Sequence, residues 1–180
     1  LLTLFKTRDF SKAESLCLEL IKNYPKFAIL YNVLGLIYSE QRKYEEAIKY
    51  YNKGIEVQPD FAMIYNNLGS IYKSKQDYIK AENYYKKSTS LDEKIPEPQN
   101  NLGNLYRTIN KFTESIDCYK KAIEIDPKFS IAYYNLGIVY KNIGETIKAT
   151  SPRGCEQIRL DFHNGWKEAN TSYSQWSLNV

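Results

Sequence analysis

Histidine, methionine and cysteine are scarce in this chain. Its 180 residues include one His, one Met and three Cys. The single histidine, His163, lies beside Asn164-Gly165, a turn signal, and has no second imidazole with which to share a metal. Cys17, Cys118 and Cys155 are far apart and odd in number. They fit free thiols in a reducing, cytoplasmic compartment, not a disulfide framework or a zinc site. No apolar run approaches the roughly 20 residues of a membrane span. Leu1-Leu2-Thr3-Leu4-Phe5 is too short for a signal-peptide core, and the basic residues Lys6 and Arg8 follow it instead of preceding it. There is no glycine-rich phosphate loop, and no Ser, His and acid are brought into one set by position. These absences leave no cofactor or metal to expect and no catalytic residue to name. The chain lacks an initiating Met, so it is read as a piece of a longer protein.

Apolar residues make up 43% of the sequence and charged residues 26%, enough of each for a packed core and a solvated surface. Tyrosine is the excess: 17 residues, against seven Phe and two Trp. A tyrosine buries a ring and keeps a polar tip, which suits half-buried positions and partner surfaces. The net charge is +4, all of it from residues 1–150, because Arg153, Arg159 and Lys167 balance Glu156, Asp161 and Glu168. A mild excess on mixed-sign helices speaks for solubility and against nucleic-acid binding.

The strongest signal is a repeat. Gly35, Gly69, Gly103 and Gly137 are 34 residues apart, each preceded by Leu and followed three residues later by Tyr38, Tyr72, Tyr106 or Tyr140. Further columns share the period: Phe10, Tyr44, Tyr78 and Phe112; Ala13, Ala47, Ala81 and Ser115; Cys17, Tyr51, Tyr85 and Tyr119. Pro25, Pro59 and Pro127 close the unit, with Pro96 near the missing one. Within a unit, Tyr31, Leu34, Gly35 and Tyr38 share one helix face, and Tyr44, Ala47, Ile48 and Tyr51 share a face of a second helix. The link at Gln41-Arg42-Lys43 is short enough to force an antiparallel pair. Gly35 and Ala47 are small where the two helices approach, and Pro59 ends the second. One hairpin cannot bury its own apolar face, so neighbours must stack.

This pattern resembles the tetratricopeptide repeat over about five-sixths of the chain. The resemblance implies an all-α fold, a right-handed superhelix of stacked antiparallel helix pairs. On that reading residues 1–27 are a partial first repeat. Residues 28–61, 62–95 and 96–129 are whole repeats, 130–149 is an incomplete one and 150–180 a degenerate tail. In such stacks the first helix of each unit lines a concave groove, so the expected function is a non-catalytic scaffold holding an extended peptide. The rival reading is the recruiting arm of a larger enzyme, a glycosyltransferase or sulfotransferase.

Groove candidates follow from the polar columns of the first helices. Asparagine is a poor helix former, yet Asn32, Asn66 and Asn100 form one column, continued by Tyr134, and Asn67, Asn101 and Asn135 form the next, after Val33. An amide can pair with any peptide bond, and the second column is similar to the asparagine ladder of O-GlcNAc transferase repeat arms. The alternative is that these amides bridge neighbouring helices. Lys73, Arg107 and Lys141, after Ser39, form a cationic stripe that either favours acidic or phosphorylated segments or is merely solvated. Ser70 and Asn104 lie a turn earlier on the same side. Repeat proteins that clamp a C-terminal carboxylate carry Lys where this chain has Asn32, Asn66, Asn100, Ile29, Met63, Glu97 and Ile131, which argues against that mode. Self-association through the incomplete last repeat is a further expectation.

The period stops after Ala149, and Pro152 would fall inside a helix, so that helix should end near Thr150. The tail is a degraded repeat, a cap using Trp166 and Trp176, or a shifted reading frame, and it is expected to be poorly ordered.

Overall fold

The computed structural model describes residues 9–150, with side chains to residue 144; the expectations for the tail, Trp166 and Trp176 included, lie outside the described residues. Among the described residues there are eight helices and no strand. They are α1 (Phe10–Asn23), α2 (Ala28–Glu40), α3 (Tyr44–Val57), α4 (Ala62–Ser74), α5 (Tyr78–Leu91), α6 (Pro96–Thr108), α7 (Phe112–Ile125) and α8 (Ser130–Thr150). The chain divides at Asp92/Glu93 into two compact units. In unit 1, α2 packs on α3 and α4 on α5, while α1 rests on α2, α3 on α4, and α2 on α4. In unit 2, α6 packs on α7, and both touch α8.

Each hairpin turn has one design. After α2, Lys43 N–H donates to Tyr38 O at 2.9 Å and Arg42 N–H to Ser39 O at 2.9 Å, the paired bonds that satisfy the last carbonyls of a helix ending in a left-handed residue. Asp77 and Gln76 repeat this after α4, and Lys111 and Asn110 after α6. The left-handed positions are Arg42, Gln76 and Asn110, at φ 59°, 61° and 59°. The short links therefore set antiparallel pairs, as their length implied. Gly144 holds the corresponding position in the last repeat, but no described glycine has positive φ, and Gly144 lies inside α8, whose 21 residues run to Thr150.

Within a hairpin the helices meet where a tyrosine ring covers a glycine. A methyl group on Gly69 would stand 2.6 Å from Tyr85 Cδ1, and one on Gly103 2.7 Å from Tyr119 Cε1; on Gly35 it would collide with the Tyr51 ring. Tyr51, Tyr85 and Tyr119 are fully buried, beside Ala47, Ala81 and Ser115. Ser115 remains compatible with that environment because its hydroxyl donates to Gly103 O at 2.8 Å. Successive hairpins join through Leu34, Ile37, Ile64, Leu68 and Ile71 in unit 1 and through Leu136, Val139 and Tyr140 in unit 2. Tyr31 and Tyr65 close their preceding turns by donating to Pro25 O (3.1 Å) and Pro59 O (2.8 Å).

Gly137 differs, since none of the described residues lies within 4 Å of a methyl built there. Gly69→Ala should therefore lower the urea midpoint by the equivalent of ~1–3 kcal/mol of overpacking. Gly137→Ala should be neutral or stabilising by up to ~1 kcal/mol of helix propensity. Equal losses at both positions would show that the socket does not explain the column.

Burial pushes the Tyr85 hydroxyl up to about 12 and raises Tyr119, Tyr38 and Tyr51 as well. The unfolded chain releases these protons near pH 10, whereas the folded chain holds them longer. Stability should be intact below pH 10 and fall as pH rises toward 12. Thermal melts across that range, read beside phenolate absorbance, check this; a midpoint flat from pH 9 to 12 would contradict it.

Candidate peptide-binding surface

The first helix of each pair is α2, α4, α6 or α8. On α2 the core takes Tyr31, Leu34, Ile37 and Tyr38. The face left partly open carries Ile29, Val33, Leu36 and Ser39, spaced at four, three and three residues along one side. The corresponding residues are Met63, Asn67, Ser70 and Lys73 on α4. They are Glu97, Asn101, Asn104 and Arg107 on α6, and Ile131, Asn135, Ile138 and Lys141 on α8. In unit 1 the faces of α2 and α4 lie on touching helices, and in unit 2 those of α6 and α8 do.

The asparagines divide into two groups. Asn32, Asn100 and Asn135 are buried, at 1%, 4% and 7% exposure. Asn67 Nδ2 donates to Asn32 Oδ1 at 2.9 Å, and Asn135 Nδ2 donates to Asn100 Oδ1 at 2.8 Å. These amides bridge one first helix to the next. The expectation that Asn32, Asn100 and Asn135 stand free in a groove is corrected: a buried amide must be paired, and here the neighbouring repeat supplies the pair. Asn67 is half-buried and gives one donor to the same bridge. Asn66 and Asn101 are half-buried.

Ser70 and Asn104 are half-buried and serve the hairpin they belong to. Tyr85 Oη donates to Ser70 Oγ at 3.1 Å, and Tyr119 Oη donates to Asn104 Oδ1 at 2.8 Å. Leu36 holds that position on α2, and the buried Tyr51 hydroxyl has no partner. Sequence reasoning placed these tyrosines in the core but missed that their hydroxyls cross it to the open face. The signal was present in the shared period of the Tyr51 column and the Leu36, Ser70, Asn104 column. Lys73 and Arg107 are half-buried, and Lys141 is exposed. Tyr134 is exposed, and Ile29, Met63 and Ile131 are exposed at one repeat position.

No cluster of potential metal ligands exists among the described residues, and no described helix is long and apolar enough to cross a membrane. Cys17 and Cys118 are buried. Burial pushes the Cys17 thiol up to about 11, and its Sγ donates to Leu30 O at 3.1 Å, so it is a packing residue.

Family models of the tetratricopeptide repeat match residues 28–61 and 62–95, and a TPR repeat model matches residues 103–144, together more than half of the chain. The chain is a tetratricopeptide repeat (TPR) protein. No curated protein sequence matches it significantly. Among solved structures, MamA is similar at 20% identity and a TM-score of 0.75, over 97% of this chain and 95% of that one. The first TPR of Spaghetti (RPAP3), bound to the HSP90 peptide SRMEEVD, is similar at 23% identity and a TM-score of 0.60, covering 66% of this chain and 94% of that one. YrrB, described as a TPR protein with an unusual peptide-binding site, matches at 17% identity and a TM-score of 0.62, over 93% and 81% of the two chains. At these identities the likeness is one of fold, an all-α TPR solenoid.

The amide bridges carry a direct prediction. Asn135→Ala strands the buried Asn100 carbonyl and should cost ~1–3 kcal/mol in urea unfolding, with Asn67→Ala at the lower end. Replacing both Asn100 and Asn135 by Leu should cost less than the sum of the two single changes. A neutral Asn135→Ala would return that residue to the list of free groove amides.

Proposed function

We propose that this TPR protein is an interaction scaffold that holds an extended segment of another polypeptide against the open face of its first helices. The observation that carries this reading is the exposure of Ile29 (46%), Met63 (45%) and Ile131 (50%), which share one repeat position. A stack that needed only its core would gain nothing from large apolar side chains there, and recurrent exposed apolar groups mark binding surfaces. They adjoin half-buried polar side chains, Asn66, Asn67 and Ser70 on α4 and Asn101 and Asn104 on α6, able to meet peptide groups. Lys73 in unit 1, and Arg107 and Lys141 in unit 2, add positive charge to the first-helix face of each unit and favour an acidic segment. The peptides in the structural neighbours support the reading: Spaghetti is described with an HSP90 peptide and YrrB with a peptide-binding site. Asn67 and Asn135, two of the three residues likened to the transferase-arm ladder, are engaged in bridges between helices.

The test is selection of peptides from a displayed random library by the whole chain, followed by affinity measurement on variants. Ile29→Asp/Met63→Asp should weaken the selected peptides by at least about tenfold, since each apolar anchor is worth ~1–2 kcal/mol. Ile79→Asp, on an exposed residue of α5, serves as the control and should change nothing. Equal affinities for both variants would place binding elsewhere.

A further inference from the structure

We propose that unit 2 carries an anion subsite centred on the guanidinium of Arg107, which receives a carboxylate or phosphoryl group from a side chain of the bound segment; this rests on the first-helix face being the binding surface. The guanidinium of Arg107 interacts with the neutral Tyr119 hydroxyl, but its Nε is buried and has no hydrogen-bond partner among the described residues. A desolvated cationic donor left unpaired is costly, and an anion is the partner that relieves it best.

The surroundings fit that ligand. Asn104 lies three residues earlier on α6, and its Oδ1 accepts from Tyr119 Oη at 2.8 Å. That bond fixes the amide orientation and leaves Nδ2 as the edge it can offer to an acceptor. Lys141 holds the position of Arg107 one repeat later, on α8, which touches α6. Through residue 144, the only acidic residue on these two helices is Glu97. It is separated from Arg107 by ten residues of α6, roughly 15 Å of helix rise. Arg107 occupies the last turn of α6, where the helix dipole favours a cation. Unit 1 is built differently at the matching places. It has Leu36 where Asn104 stands, Ser39 and Lys73 in place of two cations, and a Tyr51 hydroxyl with nothing to meet. A planar fork with an adjacent amide donor suits a side-chain anion within a chain, and the positions that clamp a terminal carboxylate in other repeats hold no Lys here.

Three fluorescein-labelled dodecapeptides of Gly, Ala and Leu, identical except for a central Glu-Glu, phosphoserine pair or Gln-Gln, provide the probes. Binding is read by anisotropy and by the Nε–Hε resonance of Arg107, one of five arginines, identified by its loss in Arg107→Lys. An anionic peptide should move that resonance and bind at least about tenfold tighter than the Gln peptide. In Arg107→Gln the advantage should fall below about threefold, with Arg107→Lys between, since Lys keeps the charge without the fork. A preference for the glutamyl peptide alone identifies carboxylates, for the phosphoseryl peptide alone phosphoryl groups, and for both the shared chemistry. If the Gln peptide binds as tightly and the Arg107 resonance stays still, the subsite is overturned while the binding face survives. If inorganic phosphate moves the resonance and no peptide binds, the subsite stands and the peptide reading fails. If neither phosphate nor any peptide moves it, the subsite is overturned.

Discussion

A tyrosine ring lying on bare helix backbone is the contact on which the rest depends. Tyr51, Tyr85 and Tyr119 lie on Gly35, Gly69 and Gly103, and a single methyl at Gly69 or Gly103 would intrude to within 3 Å. The contact fixes how closely the two helices of a pair approach. That spacing in turn decides which side chains of the first helix are sealed inside and which stay open. The same rings carry their hydroxyls through the hairpin to Ser70 and Asn104, so the packing contact and the polar character of the open face are two ends of one residue. This accounts for tyrosine where phenylalanine would fill the core equally well.

Much of this was legible because a 34-residue period samples each environment several times. Glycine, leucine, alanine and aromatic columns recur at fixed offsets, and only a repeated hairpin places them on matching faces. The turns were legible from length alone, since a three-residue link between helices leaves few geometries. Their chemistry was not: Arg42 and Gln76 adopt the left-handed conformation without being glycine, and the chain tolerates them because paired backbone bonds close the helix end.

The site was harder to read, for a geometric reason. Neighbouring residues on a helix point about 100° apart, so Asn66 and Asn67 cannot both face one way. Asn32 and Asn100 stand at the first of these two positions, Asn67 and Asn135 at the second, and each second-position amide reaches across to a first-position one. The sequence offers seven asparagines as groove candidates; only the packing of one repeat on the next shows that four of them bind each other. The cations lie on the first helices, but the buried Nε that separates Arg107 from an ordinary surface charge depends on Tyr119 arriving from the second helix of the hairpin.

The amide bridges that tie first helices together join residues only 35 apart in sequence. Synthesis at about 5–20 residues per second releases a repeat of that length every roughly 2–7 s, whereas helices form within about a microsecond. Within each unit, every hairpin can therefore close and engage its predecessor while the following one is still inside the ribosome. A chain built this way matures in the order in which it is translated, and the apolar faces that would invite aggregation are covered one at a time.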